Sequence, residues 1–345
     1  MTTHRQKLTN LMPPLRPNDS RLLKDVVVPP LVAEGVLLVT RTGELAAFEE
    51  SSGEVIWRTP LNVTERLQPH GGVPLVVDEV IYVRSGDELL TIELKSGYIK
   101  SRSKAPQVDL LDGAFVDGCI VSYVSAHTLE AWDVSKNRTR WSIRSEFSPV
   151  RLVSVGGMVI AGAIGSLSAF EMSAGERIWS IPLDEDQGIG GLALAPDDSL
   201  IVALGAEVVS IDAAKGEVRW RAIADVARPG MMAVTDEGEI HLLDLRRYRR
   251  LSASSGVELF SRPVAREQLP SIRGSLGSLA ASNTHVFAGD LRGPLVAVSR
   301  DAEIDWIWEE ERQRAASVAP VLSDERLYAL TFEGMLQCFE RTTRL

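Results

Sequence analysis

The sequence predicts an all-β protein, an eight-bladed β-propeller made of four-stranded antiparallel blades. Three observations predict it. A pattern of apolar residues, a turn glycine and a tryptophan recurs about every 40 residues. A pair of short apolar runs split by a tight turn precedes the pattern, and no convincing amphipathic helix interrupts the series. A period of this length with short strands is typical of a propeller whose blades have four strands.

The repeat is clearest in its first copy, GELAAFEESSGEVIW. Leu45 and Phe48 belong to one apolar run, Gly53 ends a polar turn, and Trp57 closes a second run. The copies of this pattern occupy residues 43–57, 87–101, 127–141, 165–179, 206–220, 246–260, 293–306 and 334–345. Together with the hairpin upstream, each copy supplies one blade.

Glycine and tryptophan have separate reasons to recur. The turn requires a positive φ, which glycine adopts freely and which Asn137 also tolerates. A tryptophan near the outer strand buries about 150–250 Å² and covers the seam between blades, so we predict a packing role. Stacking on a ligand is the alternative. Ser101 and Phe260 replace the tryptophan in two copies, and the seventh copy has a shorter turn without glycine.

The eighth copy ends just after its third strand. An open blade would expose unpaired backbone groups, which invite aggregation. The spacing of the repeat, counted back from the first blade, predicts that residues 6–12 supply the missing strand. We therefore predict one domain over residues 1–345, with residues 1–14 closing the last blade. A polar tail is the alternative.

Composition and charge limit the classes of function that this protein can have. The formal net charge is −10, which disfavours binding to nucleic acid or to an anionic membrane surface. The first 25 residues contain no apolar stretch typical of a secretory signal, and no run is long enough to predict membrane insertion. Only two cysteines occur, Cys119 and Cys338, far apart. These features predict a cytoplasmic protein.

The columns L-x-A-F-x-x-x-x-G-x-x-x-W, as in Leu45–Trp57 and Leu167–Trp179, resemble the repeat of the quinoprotein-type, or PQQ-like, β-propellers. That family includes quinone-dependent dehydrogenases and scaffold proteins that bind no quinone. The dehydrogenases resemble one another in an adjacent cysteine pair and in a calcium site of Glu, Asn and Asp. Cys119 and Cys338 are not adjacent, and the asparagines do not assemble the calcium set. The resemblance therefore implies a scaffold member, and we expect no cofactor.

The strongest candidate site is DLRRYRRL, where arginines 246, 247, 249 and 250 flank Tyr248. Four guanidinium groups around one aromatic ring could grip phosphate or an acidic partner, because arginine binds such groups with two parallel hydrogen bonds. The alternative is a solvated turn, balanced by the acidic residues 236, 237, 239 and 244.

Trp308 is a second candidate. It alternates with Trp306, so both side chains belong to one face of a strand, and only Trp306 matches the repeat. The surplus ring predicts an interaction edge. The Gly-rich segment 187–191 is not a phosphate loop, since no helix follows it. The five histidines show no metal-binding spacing, and no catalytic motif occurs.

We predict a non-enzymatic protein-binding scaffold, a component of a larger bacterial complex. One alternative is an enzyme or small-molecule binder that uses the central channel, where the inner strands of all blades converge. Another is a recognition module that works beside an ATPase or a kinase. The sequence leaves the partner and the face it uses open.

Overall fold

The prediction of an eight-bladed propeller is confirmed by a computed structural model of the chain. Each of eight antiparallel sheets contains four strands, and the regular structure of the described residues is all β. The residues that the structure describes are 8–9, 30–41, 43–62, 74–104, 109–125, 127–144, 149–163, 165–183, 189–224, 232–243, 247–264, 276–290, 295–308, 320–323, 326–330 and 336–340.

The first four blades follow one another along the chain, and each runs from its first, inner strand to its fourth, outer strand. Blades one and two consist of Leu31–Ala33, Val36–Arg41, Glu44–Glu49, Val55–Pro60 and of Leu75–Val77, Val80–Ser85, Glu88–Glu93, Ile99–Lys104. Blades three and four consist of Asp109–Val116, Cys119–Ser125, Thr128–Asp133, Arg138–Arg144 and of Pro149–Val155, Met158–Ala163, Ser166–Glu171, Arg177–Pro182.

The remaining blades repeat this order, except that the last takes its fourth strand from the start of the chain. Blades five and six consist of Ile189–Leu194, Ser199–Leu204, Glu207–Asp212, Val218–Ile223 and of Met232–Val234, Glu239–Leu243, Arg247–Ser252, Glu258–Pro263. Blades seven and eight consist of Leu276–Ala281, His285–Asp290, Leu295–Ser299, Ile304–Trp308 and of Val321–Leu322, Arg326–Leu330, Leu336–Glu340, Leu8–Thr9.

The N-terminal segment closes the ring. Leu8 pairs with Phe339 and Thr9 pairs with Cys338 in an antiparallel register. This pairing satisfies the backbone of the third strand of blade eight, which would otherwise be an open edge. The rest of the predicted closing segment lies outside the described residues.

The hydrophobic core lies between blades, because each sheet buries side chains on both of its faces. Val36, Leu38 and Leu45 of blade one, for example, pack with Ile81 and Leu90 of blade two. Successive side chains along a strand point to opposite faces of the sheet, so neighbouring residues of one strand pack into the interfaces with the two adjacent blades. Stability therefore depends on how each pair of adjacent blades is joined.

Tryptophan and glycine of the repeat meet across these seams. The indole N–H of Trp57 in blade one donates a hydrogen bond of 2.8 Å to the carbonyl oxygen of Leu94 in blade two. Its ring covers Gly97 so closely that a Cβ there would lie 2.6 Å from ring carbons. Equivalent pairs join the seams 3/4, 4/5 and 5/6, formed by Trp141–Gly175, Trp179–Gly216 and Trp220–Gly256. We call each pair a Trp–Gly lock.

Candidate functional site

The arginine-rich strand of blade six directs its side chains in different directions. Arg247 is exposed and donates to Ser261 Oγ at 2.9 Å. Arg249 reaches blade five, where its Nη1 donates to the carbonyl oxygen of Ile223 at 3.2 Å. Tyr248 is fully buried. The strand alternation therefore separates the Tyr248 ring from its two neighbours, and the three described arginines, Arg247, Arg249 and Arg250, do not form one continuous group around it.

Tyr248 belongs to a buried polar network that the sequence analysis missed. Its hydroxyl shares a hydrogen bond of 2.7 Å with Nδ1 of His241, whose side chain is 1% exposed. Nε2 of this histidine lies 3.6 Å from Glu239 Oε2 and has no hydrogen-bond partner within the described part of the chain. The one sequence signal was a Glu-x-His pair on an otherwise apolar second strand.

Arg250 turns inward and completes this network. Its Nη1 donates to both carboxylate oxygens of Glu239 at 3.2 Å, and its guanidinium stands 5.2 Å from the centre of the Phe260 ring. Arg300 of blade seven donates from Nη2 to the same carboxylate at 2.5 and 2.6 Å. Glu239 is thus held by one arginine of its own blade and by one of the next blade.

Burial sets the protonation of the network. The pKa of His241 is lowered from 6.5 to about 4, chiefly by desolvation; Glu239 opposes this shift, and Arg250 and Arg300 contribute to it. Burial also raises the pKa of Tyr248 above its usual value. At neutral pH the histidine is therefore uncharged, and the network contains one carboxylate and two guanidinium groups.

Blade six also exposes apolar side chains on its outer edge. Leu259 on its fourth strand is 49% exposed, and Ile223 at the end of the neighbouring fourth strand is 75% exposed. We define the blade-six edge as Ile223, Arg247, Arg249 and Leu259. Apolar surface beside guanidinium groups is typical of protein-binding sites, where arginine is enriched.

Arg246 and Trp308 are predicted site residues whose side chains the structure does not describe. Arg246 falls outside the described residues. Trp308 ends the fourth strand of blade seven, where it pairs with Leu295, and its side chain is not described. Both remain predictions.

Among the described residues, the buried titratable groups with large pKa shifts lie on second and third strands and not on the innermost strand of a blade. The pKa of Tyr123 is raised to about 12 by burial, and that residue, like His241 and Tyr328, lies on a second strand. The innermost strands of blades one and two read LVA and LVV. Among the described residues, no group of three or more His, Cys, Asp or Glu side chains could hold a metal ion.

The ring and its locks define an eight-bladed propeller of PQQ-like repeats. The chain belongs to the family of the outer membrane protein assembly factor BamB, whose model matches residues 17–186 and 163–345. The matched residues include every copy of the repeat. The resemblance to PQQ-like propellers is thereby confirmed.

Two curated proteins show what this chain is similar to. The outer membrane protein assembly factor BamB of Yersinia pestis is 23% identical over 334 residues, which cover 89% of this chain and 82% of that protein. The serine/threonine-protein kinase AfsK of Streptomyces griseus is 30% identical over 143 residues, 37% of this chain and 17% of the kinase.

Solved structures agree on the fold. BamB from Moraxella catarrhalis has a TM-score of 0.66 at 13% identity, with 97% of this chain and all of that chain covered. The computationally designed protein Ika8 has a TM-score of 0.71 at 13% identity, with 92% and 97% covered. A natural and a designed protein thus share the architecture.

The prediction of a cytoplasmic protein is wrong. The matching family and the relative from Yersinia pestis are named as outer membrane protein assembly factors, which places the relatives outside the cytoplasm. The prediction relied partly on scarce cysteine. A closed propeller is held by strand pairing and seam packing and needs no disulfide, so its cysteine content does not report the compartment. In the described part of the chain, no helix is long and apolar enough to cross a membrane.

Proposed function

We propose that the chain is a non-enzymatic scaffold of the apparatus that assembles outer membrane proteins. The observation that carries this proposal is the family match, which extends over residues 17–345 and includes every described strand except the closing strand Leu8–Thr9. A rigid ring with loops on both faces suits protein docking. The adjacent cysteines and the calcium-binding residues of the quinone-dependent dehydrogenases have no counterpart in this sequence.

The blade-six edge is the proposed docking surface. Arg247 contributes an exposed guanidinium group to the edge that also exposes Ile223 and Leu259. Arg249, whose side chain is 14% exposed, donates to the backbone of Ile223 and lies 3.8 Å from Glu258. The whole chain is acidic, with a formal net charge of −10, so this basic and apolar edge contrasts with its average surface. It fits a protein partner that presents acidic and apolar side chains together.

The test is site-specific photo-crosslinking in cells that make outer membrane proteins. A crosslinking amino acid at position 259 is compared with one at position 178, where Ile178 is similarly exposed on the outer strand of blade four. We expect position 259 to form a specific adduct with a membrane-assembly protein. Equal adducts at both positions would contradict the docking surface.

A second experiment tests whether the positive charge of the blade-six edge is needed for the adduct at position 259. We expect the variant R247S to lose the position-259 adduct. The matched control R177S removes an exposed arginine from blade four and should retain it. Depletion of the chain should also lower the amount of folded outer membrane proteins. An unchanged amount would contradict the assembly function itself, whatever the crosslinks show.

A further inference from the structure

Exposed apolar side chains recur at one position of the repeat. Among the described residues, the large apolar side chains that are exposed, except Ile223, lie one to three positions after the turn glycine. They stand at the start of the fourth strand, which is the outer edge of each sheet. The repeat therefore exposes apolar surface on the rim of the ring.

Three of these side chains adjoin one another at the seam between blades one and two. Tyr98 is 69% exposed, Val55 47% and Ile56 42%. Tyr98 directly follows Gly97. Val55 and Ile56 directly precede Trp57, whose ring covers that glycine in the Trp–Gly lock. The lock therefore brings the three residues together across two blades, and we call them the Tyr98 patch.

The hairpin turns around the Tyr98 patch are acidic. Backbone hydrogen bonds place the two turns of each blade side by side, from Glu50 N–H to Gly35 O at 2.9 Å and from Leu94 N–H to Glu79 O at 2.8 Å. Seven carboxylates lie on or beside these turns, at residues 34, 49, 50, 54, 78, 79 and 93. The apolar patch thus lies among negative charges.

The basic side chains near these turns are already engaged. Lys95 and Lys100 form ion pairs of 2.6 and 3.7 Å with two of the seven carboxylates. Arg326 of blade eight donates to a backbone carbonyl oxygen of the blade-one turn at 3.0 Å. Arg58, two positions beyond Ile56, pairs with Glu44 at 2.7 Å. The turns therefore keep an excess of negative charge.

We propose that the Tyr98 patch docks a basic amphipathic segment of a partner protein. Single exposed apolar side chains are common on protein surfaces, but here an aromatic ring and two aliphatic side chains adjoin one another. Tyrosine is enriched among the residues that contribute most to binding, and the surrounding carboxylates are complementary to lysine and arginine. The blade-six edge prefers an acidic partner, so this second surface selects a different one.

The first test measures binding of a labelled peptide to the full-length chain by fluorescence anisotropy. The peptide has about 18 residues, with leucine at every third or fourth position and lysine elsewhere. We expect Y98S to weaken its binding about tenfold. The control I178S removes a similarly exposed apolar side chain beside Trp179 and should bind like wild type. Equal affinities of wild type and Y98S would overturn the proposal.

The second test separates local charge from the net charge of the chain. E54Q/D78N removes two exposed carboxylates beside the Tyr98 patch, and asparagine tolerates the φ of 47° at position 78. We expect it to weaken peptide binding about tenfold. The matched control E176Q/E217Q removes two exposed carboxylates beside Trp179 and Gly216 and should bind like wild type. Equal weakening by both variants would overturn docking at the patch.

Sedimentation of the chain alone distinguishes a partner segment from a second copy of this chain. We expect the wild type and Y98S to sediment as the same species. A larger wild-type species that Y98S dissociates would overturn the proposal and assign the Tyr98 patch to self-association.

Discussion

Trp179 and Gly216 meet across the seam between blades four and five. The indole N–H donates to the carbonyl oxygen of Ala213 at 2.9 Å, and a Cβ on Gly216 would lie 2.7 Å from the ring. Gly216 also has φ +74°, which disfavours other residues. Backbone conformation and space thus require glycine independently, and the two requirements can be separated by mutation.

We predict that G216A lowers the free energy of unfolding by about 3 kcal/mol. About 1–2 kcal/mol comes from the left-handed backbone and the rest from displacement of the indole. The measurement is the midpoint of urea unfolding.

G118A is the matched control for that change. Gly118 has φ +73°, and a Cβ there would meet no atom within 4 Å. It therefore carries the backbone cost without the clash, and we expect a loss of about 1–2 kcal/mol. Equal losses of unfolding free energy for G216A and G118A would show that the Trp179 indole moves aside without cost, and would contradict the steric contribution.

We predict that W179F costs about 1–2 kcal/mol. The phenyl ring retains much of the apolar contact but leaves the carbonyl oxygen of Ala213 without its indole donor. Urea unfolding measures the loss. Because position 260 is naturally Phe beside Ala302, F260L reports what the phenyl ring alone contributes there. A W179F midpoint equal to wild type would contradict a contribution from the hydrogen bond.

We predict that His241 makes the fold sensitive to mild acid. The pKa of His241 is about 4 in the folded chain, below its ordinary 6.5, so the unfolded chain binds the proton more readily. Its contribution is complete above pH 6.5 and is lost as pH falls toward 4. The full loss is about 3 kcal/mol. Melting temperature as a function of pH measures it.

H241Q should flatten this pH dependence. Glutamine does not titrate and can hydrogen-bond to the Tyr248 hydroxyl, while Glu239, Arg250 and Arg300 remain around it. H127Q, which changes an exposed histidine, serves as the control and should leave the profile unchanged. A wild-type slope that persists in H241Q would assign the acid sensitivity to carboxylates.

We predict that E79G stabilises the fold by about 1 kcal/mol. Glu79 has φ 60° at the second position of a two-residue hairpin turn, where blades one and three have Gly35 and Gly118. Such turns require positive φ at both positions and favour glycine at the second. The Glu79–Lys95 pair that is lost is exposed and contributes little.

The reverse change, G118E, is the control and should cost a similar amount. Both variants are read by thermal unfolding. Destabilisation by E79G would show that the ion pair outweighs the backbone strain.

Sequence periodicity predicted the ring because each blade needs the same strand lengths and turns to bury both sheet faces. It also predicted closure by the N-terminal segment, since the last copy lacks one strand, and Leu8 and Thr9 pair there. The sequence shows that Ser101 replaces the tryptophan of one repeat and that Asn137 replaces the glycine of the next. It does not show that the two replacements are connected, because those positions meet only when neighbouring blades pack.

The arginine cluster shows the same limit. Adjacent letters suggested one basic group around Tyr248, but strand alternation buries the ring and directs Arg250 toward Glu239. The partners Glu239, His241 and Arg300 come from a second strand and from another blade. A cytoplasmic location was inferred wrongly because compartment leaves no imprint on the packing of a closed ring.

The sequence by itself determined the architecture: the number of blades, the strands in each, the turn glycines and the origin of the closing strand. These depend on local period and backbone conformation, which neighbouring letters encode. Only the tertiary structure decided which neighbouring blades are joined by a Trp–Gly lock and which arginines turn inward. Those properties depend on side chains that are about 40 residues apart in the chain and in contact in space.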